Sequence, residues 1–114
     1  MTAAERIVQA QLDAYNAHDL AAFTACYADD VKVYRLPSMA LSLDGKAALA
    51  EHYARHRFTL PLLHAALLAR IVHGNRVIDH EDVTLDEARR MRAVAIYDVN
   101  ADGLIGAVWF VDSE

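Results

Sequence analysis

The chain has 114 residues, of which 55% are hydrophobic and 24% are charged, and its formal net charge is −5. This composition is typical of one folded domain and excludes intrinsic disorder, which requires fewer apolar residues. The acidic balance argues against electrostatic binding to nucleic acid or to an anionic membrane surface. Because Cys26 is the single cysteine, and neither a spanning segment nor a signal peptide is visible, we expect a cytoplasmic protein.

Three helices are predicted in the first half of the chain. Thr2 and Glu5 form a capping box, and apolar residues at helical spacing follow until about residue 16. Asp19 is expected to cap a short second helix, and Asp44 a third one over about residues 46–57. Between these two helices, the pattern predicts a short strand and then a loop, over residues 31–36 and 37–44.

The second half of the chain predicts a meander of four strands. The predicted strands are residues 63–73, 76–85, 91–99 and 104–111. Gly74-Asn75 joins the first two and suits a type II′ hairpin turn. In that register two opposed pairs share one face of the sheet: Arg70 with Asp79, and Leu68 with Glu81. Helices segregated from an antiparallel sheet define the α+β class, and nothing divides residues 1–114 into more than one domain.

Several segments together resemble a known superfamily. Residues 11–20 read Gln-Leu-Asp-Ala-Tyr-Asn-Ala-His-Asp-Leu and are followed by Tyr27-Ala-Asp-Asp-Val31. This sequence resembles the opening of the nuclear transport factor 2-like superfamily, which includes ketosteroid isomerases and SnoaL-like polyketide cyclases. Residues 45–53 and 100–109 fit the same pattern, so the resemblance spans the chain.

The resemblance implies a cone, in which a strongly curved antiparallel sheet wraps around three N-terminal helices, as in the cystatin-like α+β roll. A pocket is expected at the open end. It also implies a homodimer that forms through the convex faces of two sheets.

The catalytic residues of the ketosteroid isomerases do not carry over. Their chemistry uses a tyrosine in the first helix, an aspartate base near the end of the first strand, and a protonated carboxylic acid. Alignment with the family places Gln11, Arg35 and Ala95 at these three positions. Because glutamine is not an acidic phenol, arginine is not a base and alanine has no polar group, steroid isomerase activity is not expected.

The alignment also predicts which side chains bind a ligand. The expected ligand-binding residues are Gln11, Tyr15, Arg35, His52, Tyr53, Arg70, Tyr97, Val108 and Trp109, although either Trp109 or its neighbour Phe110 could face the pocket. Asp79 and Glu81 share one side of a strand and are candidate general acids or bases, because a carboxylate in an apolar cone has a raised pKa. In the alternative reading, Asp79 forms an ordinary ion pair with Arg70, and Glu81 lies at a solvated mouth.

Metal and cofactor binding have little support in the sequence. His52 and His56 are four residues apart, a spacing that could ligate a metal, but a third ligand would have to come from the sheet, for example His64 or His80. No Gly-rich phosphate loop is present. We therefore expect neither a metal nor a cofactor. Arg35 is expected either to neutralise a carboxylate of the ligand or, preferentially, to pair with Asp29 or Asp30 at the rim.

Three functions remain open at this point. The chain could be a cofactor-independent enzyme that transfers protons on an apolar small molecule, in the manner of an isomerase or cyclase. It could bind such a molecule without catalysis, or it could be a dimeric adaptor like the transport factors of the superfamily. The feature that separates the first from the others is whether Asp79 or Glu81 lies inside a dry cavity.

Overall fold

The computed structural model describes residues 1–113, which form three helices and six strands. The helices are α1 (Ala3–Asn16), α2 (Leu20–Ala25) and α3 (Lys46–His56). The strands are β1 (Tyr27–Leu36), β2 (Ala40–Asp44), β3 (His64–His73), β4 (Arg76–Thr84), β5 (Arg90–Val99) and β6 (Ile105–Val111). None of the helices in this part of the chain has the length and apolar character needed to cross a membrane.

Two of the three predicted helix caps are confirmed. The Thr2 hydroxyl accepts a hydrogen bond from the Glu5 N–H at 3.1 Å, and the Asp19 carboxylate accepts one from the Ala22 N–H at 3.0 Å. The third predicted cap is wrong. Gly45, with φ of +94°, precedes α3 and makes no side-chain cap, whereas Asp44 ends β2 and forms an ion pair with its register partner Lys32.

The predicted loop before α3 contains a strand. Residues 40–44 form β2, which pairs antiparallel with β1. Its sequence, Ala-Leu-Ser-Leu-Asp, has no strong strand signal of its own, so pairing with β1 determines its conformation. β1 itself begins at Tyr27, four residues before the predicted start.

All six strands form one sheet in the order β2-β1-β6-β5-β4-β3. The predicted meander over β3 to β6 is confirmed, since each of these strands pairs antiparallel with the next. The sheet is not antiparallel throughout, because β1 runs parallel to β6. With the helices at the N-terminal end and a curved, open sheet, the molecule is an α+β roll, as the sequence predicts.

The register of the first hairpin is confirmed in part. Arg70 lies opposite Asp79, and Gly74 has the positive φ (+59°) that the first central position of a type II′ turn requires. The predicted pair of Leu68 with Glu81 is wrong. A register shift between Leu67 and Ala69 places Leu67 opposite Glu81 and leaves Leu68 in a bulge.

The hydrophobic core lies between the helices and the facing side of the sheet. Among its most deeply buried side chains are Val8, Phe23, Val31, Leu49, Val77, Ile105 and Val108. A cluster of aromatic rings adjoins this core, with centroids 4.8 to 6.5 Å apart, and comprises Tyr15, Phe23, Tyr27, Tyr53 and Phe58. The three tyrosines of this cluster combine a buried apolar ring with a hydroxyl group that can form hydrogen bonds.

Candidate functional site

A cavity of about 600 Å³ opens between the helices and the sheet. Its walls come from α1, α3 and all six strands, and its volume is within the range of small-molecule sites. Seven residues that the sequence predicts for the site line this cavity: Gln11, Tyr15, Arg35, His52, Tyr53, Glu81 and Tyr97. The apolar part of the wall includes Val33, Leu43, Val83, Met91 and Phe110.

Four other residues predicted for the site do not line the cavity. Val108 is only 1% exposed and belongs to the core, and Trp109 lies on the outer face, where its ring stacks on Tyr34 with centroids 5.8 Å apart. Phe110 lines the cavity in place of Trp109, because neighbouring residues of a strand point to opposite faces. The remaining two, Arg70 and Asp79, lie behind the wall as a buried pair.

Arg70 holds Asp79 through two hydrogen bonds. Its Nε donates to Asp79 Oδ1 at 2.7 Å and its Nη2 donates to Oδ2 at 2.9 Å. The third nitrogen, Nη1, donates to Gln9 Oε1 at 2.8 Å and lies 3.7 Å from a Glu5 oxygen, so the pair also joins α1 to the sheet. Because Asp79 is fully buried and both its oxygens accept from Arg70, this arrangement matches the ion-pair alternative for Asp79.

Glu81 has a different environment, although it is only two residues away on β4. It lines the cavity and is 7% exposed, so it does not lie at a solvated mouth. Within residues 1–113, its Oε2 is the only buried side-chain oxygen or nitrogen without a hydrogen-bond partner. Burial, and secondarily the charge of Asp79, raise the pKa of Glu81 to about 7, with Arg70 acting in the opposite direction.

Four tyrosines are close enough to feel the charge of Glu81. Burial raises the pKa of each, and Glu81 adds to the increase for Tyr15, Tyr27, Tyr53 and Tyr97. The pKa of Tyr53 is about 12. These phenols therefore stay protonated at neutral pH and can donate hydrogen bonds. Tyr27, the first residue of β1, does not line the cavity, and its hydroxyl donates to Gln11 Oε1 at 3.0 Å.

The three positions aligned with the isomerase catalytic residues have unrelated roles here. Gln11 is in the cavity wall, where its Oε1 accepts from Tyr27 and its Nε2 is 3.4 Å from the carbonyl oxygen of Val8. Ala95 is fully buried and does not line the cavity. Arg35 lies at the rim, 5.6 Å from the centre of the Phe110 ring.

The rim ion pair of Arg35 differs from the predicted one. Arg35 pairs with Asp112, not with Asp29 or Asp30. The reason is the parallel pairing of β1 with β6, in which the Asp112 N–H donates to the Leu36 carbonyl at 2.9 Å and so brings the end of the chain to Arg35. Asp29 is fully exposed and lies 3.3 Å from Lys46.

His52 of α3 lines the cavity, as does Arg57 directly after the end of α3, whereas His56 does not. The His52 and His56 rings are 5.0 Å apart, but nowhere in residues 1–113 are three His, Cys, Asp or Glu side chains grouped to hold a metal ion. Burial, then Arg57 and His56, lower the pKa of His52. Arg57 is not among the residues predicted for the site, yet it lines the cavity. The signal for its placement is the apolar Phe58 that follows it and packs against the core.

The chain belongs to the SnoaL-like domain family, whose family model matches residues 8–108. The superfamily suggested by the sequence is thereby confirmed. Searching curated proteins gave no match.

Solved structures with the same fold cover nearly the whole chain. An uncharacterised cystatin-fold protein from Novosphingobium aromaticivorans is 24% identical, with a TM-score of 0.83 over 98% of this chain and 99% of that one. A putative ketosteroid isomerase from Kribbella flavida is 18% identical, with a TM-score of 0.84 over 98% and 78%. A computationally designed 17-OHP binder is 20% identical, with a TM-score of 0.87 over 99% and 95%. At these identities the likeness shows the fold alone.

Proposed function

We propose that this protein binds an apolar small molecule in its cavity and transfers a proton on it without a cofactor, with Glu81 as the general acid or base. The observation that carries this proposal is the buried Glu81 oxygen that has no hydrogen-bond partner and lies in the cavity wall. A group with a pKa of about 7 is well matched to proton transfer at neutral pH, since both of its protonation states are populated.

The proposed step is proton abstraction next to a carbonyl group. The Glu81 carboxylate takes the proton from the carbon, the C–H bond breaks, and its electron pair forms an enolate. Tyrosine hydroxyls of the wall, from Tyr15, Tyr53 or Tyr97, donate to the enolate oxygen. Protonated Glu81 then returns the proton to the same carbon or to another one, as in an isomerisation or a cyclisation. Steroid Δ-isomerase activity is not part of this proposal, since Gln11, Arg35 and Ala95 replace its catalytic groups.

Hydrogen–deuterium exchange tests the proposal without knowledge of the natural substrate. The probe is 2-tetralone, a flat bicyclic ketone, incubated with the protein in D₂O and followed by NMR. We expect wild-type protein to accelerate exchange of the acidic C–H at least a hundredfold over the Glu81→Gln variant, the lower range of general base catalysis. The matched control is Glu87→Gln, because Glu87 is exposed and lies outside the cavity. Equal exchange with wild type and Glu81→Gln would contradict the proposal.

A non-catalytic ligand-binding protein is the second candidate. It is favoured by the similarity to the designed 17-OHP binder. Because that protein was designed as a binder, the fold can hold a small molecule without catalysing a reaction. Under this alternative, the Glu81→Gln variant binds the probe as tightly as wild type, and neither protein accelerates exchange.

We also propose that the convex face of the sheet pairs with a second copy of this chain. One apolar row crosses this face through the register partners Leu41, Tyr34, Trp109, Ile96, Ile78 and Ile71. Ile71 is 62% exposed. Two ion pairs flank the row, Arg76 with Asp98 and Arg90 with Asp82. A surface that carries both positive and negative charges can be complementary to itself in a two-fold contact.

Sedimentation equilibrium tests the dimer. At micromolar concentration we expect about twice the chain mass of 12.6 kDa. The variant Ile71→Glu should sediment as a folded monomer, because it places a charge in the apolar row. Leu62→Glu is the matched control, because Leu62 is exposed and lies outside the apolar row, and this variant should remain a dimer. A monomeric wild-type protein would contradict the proposal.

A further inference from the structure

We infer that the ligand carries a carboxylate group and that Arg57 binds it. This inference names the substrate class of the site and rests on the proposed function, in so far as the cavity is where the ligand binds. Two observations support it: the charges of the residues that line the cavity, and the hydrogen-bond donors near the Arg57 guanidinium group.

Three arginines line the cavity, and two of them have acidic partners. Arg35 forms an ion pair with Asp112 at the rim, and Arg92 lies 4.0 Å from Asp82. Within residues 1–113, no carboxylate lies within 4 Å of Arg57, whose Nη1 donates a long hydrogen bond, at 3.4 Å, to the carbonyl of its neighbour His56 and whose side chain also hydrogen-bonds to the Tyr15 hydroxyl. Arg57 is therefore the one arginine of the wall that has no acidic partner within residues 1–113, and its charge can attract an anionic ligand.

The turn that ends α3 holds Arg57 in place. The N–H groups of Arg57 and Phe58 both donate to the Tyr53 carbonyl, at 3.0 and 2.9 Å. The Phe58 ring packs 5.7 Å from the ring of Tyr15 and 5.4 Å from that of Phe23. Because Phe58 is anchored in the aromatic cluster, the backbone of Arg57 is held in place at the wall of the cavity.

Two phenols and an imidazole lie within reach of the Arg57 charge. Arg57 opposes the increase that burial causes in the pKa of Tyr15 and of Tyr53, and it helps to lower the pKa of His52. Tyr15, Tyr53 and His52 line the cavity together with Arg57, and the Tyr15 hydroxyl hydrogen-bonds to the Arg57 side chain. A planar guanidinium group with hydroxyl donors beside it is a favourable receptor for a carboxylate.

The rest of the wall restricts the ligand to a single negative charge on an apolar body. Glu81 also lines the cavity, so a multiply charged group such as a phosphate would meet more repulsion than a single carboxylate. The remaining surface is apolar and includes Val33, Val83 and Phe110. An aromatic or alicyclic carboxylic acid fits these conditions, with its carboxylate on Arg57 and its ring system against the apolar wall.

Calorimetric titration with three matched pairs of compounds tests the inference. The probes are benzoate, 2-naphthoate and anthracene-9-carboxylate, each paired with its carboxamide, at pH 6. We expect wild-type protein to bind at least one acid ten times or more as tightly as its amide, which is typical of a charge-assisted hydrogen bond. Arg57→Met should abolish this preference and leave the affinity for the amide within threefold. Arg57→Lys should restore part of the preference, because it keeps the charge and loses the planar fork.

Arg55→Met is the control variant, since Arg55 is on the same helix but is exposed and pairs with Glu51. It should retain the full preference for the acid. If the amides bind as tightly as the acids to wild type, or if Arg57→Met keeps the preference while remaining folded by circular dichroism, the carboxylate inference is overturned and the proposed function stands. If none of the six compounds binds, the result contradicts the ligand-binding cavity itself, and with it both proposals.

Discussion

Asp79 and Glu81 are two residues apart on β4, yet only Glu81 lines the cavity. Both oxygens of Asp79 accept hydrogen bonds from Arg70, whereas Oε2 of Glu81 has no partner. The two carboxylates thus divide into a structural ion pair and a group that can exchange a proton. The buried charge of Asp79 also helps to raise the pKa of Glu81, so the two environments depend on each other.

Replacing Glu81 with Gln should alter stability in a pH-dependent way. The folded protein holds the Glu81 proton up to a pKa of about 7, whereas the unfolded chain releases it near 4.5, so the contribution of this group to stability is present below 4.5 and is lost as pH rises to 7. Glu81→Gln removes this loss. We expect the variant to gain up to about 3 kcal/mol on wild type between pH 4 and pH 8, measured by urea denaturation.

The charged and titratable groups around Glu81 are unchanged in that comparison, and they are Asp79, Arg70, Tyr15, Tyr27, Tyr53 and Tyr97. Glu87→Gln, at an exposed position, should show no such dependence. A difference between Glu81→Gln and wild type that stays constant from pH 4 to pH 8 would show that Glu81 titrates normally in the folded protein.

Arg70→Met should destabilise the protein strongly. The substitution leaves the buried Asp79 charge without a partner and removes the hydrogen bond to Gln9 on α1. Loss of one partner of a buried ion pair costs about 3–5 kcal/mol. The double variant Arg70→Met with Asp79→Leu should recover much of this loss. Arg76→Met is the control, because Arg76 is exposed and its ion pair with Asp98 is long, with 3.9 Å between Nε and Oδ1. Thermal unfolding measures all four proteins, and equal melting temperatures would argue against a buried pair.

Gly45→Ala should destabilise the start of α3. Gly45 has a φ of +94°, a conformation that residues with a Cβ rarely adopt. A non-glycine residue held in such a conformation costs about 1–3 kcal/mol. Gly106→Ala is the matched control, because that glycine does not have a positive φ and an added Cβ would lie 3.6 Å from the nearest atom, an ordinary contact. Similar unfolding midpoints for the two variants in urea would contradict the strain at Gly45.

The protein should not isomerise a ketosteroid above the background rate. The three catalytic positions carry Gln11, Arg35 and Ala95, of which Arg35 is occupied by its ion pair with Asp112 and Ala95 is fully buried. Spectrophotometric conversion of a Δ5-3-ketosteroid to its conjugated isomer measures the activity. Robust turnover that disappears in Glu81→Gln would show that Glu81 alone can replace the missing base, and turnover that survives in that variant would contradict the assignment of these three positions.

Features that arise from local sequence were predictable here. The caps at Thr2 and Asp19 depend on residues three positions apart, and the Arg70–Asp79 pair follows from a two-residue turn. β2 was not predictable from its composition, because its strand conformation comes from pairing with β1. The bulge at Leu68 was not predictable either, because the sequence of this strand gives no sign that one extra residue is inserted in its pairing with β4.

The candidate site was predictable where a residue's face follows from helix or strand periodicity. Glu81 and Tyr97 were placed correctly in the cavity wall in this way. The Arg35–Asp112 pair joins residues 77 positions apart and depends on the parallel pairing of β1 with β6, which no local pattern encodes. Arg57 was missed because an arginine after a helix is usually solvated, and only the packing of Phe58 shows that the chain turns inward there.

The pKa of Glu81 in the intact protein tests the central claim most directly. The measurement is an NMR titration of protein labelled with ¹³C at the glutamate side-chain carboxyl group, in which the Glu81→Gln variant identifies the Glu81 resonance. We expect a midpoint of about 7 for this carboxyl group. A midpoint near the ordinary glutamate value of about 4.3 would contradict it, because Glu81 would then be a solvated carboxylate and not a proton-transfer group in a cavity.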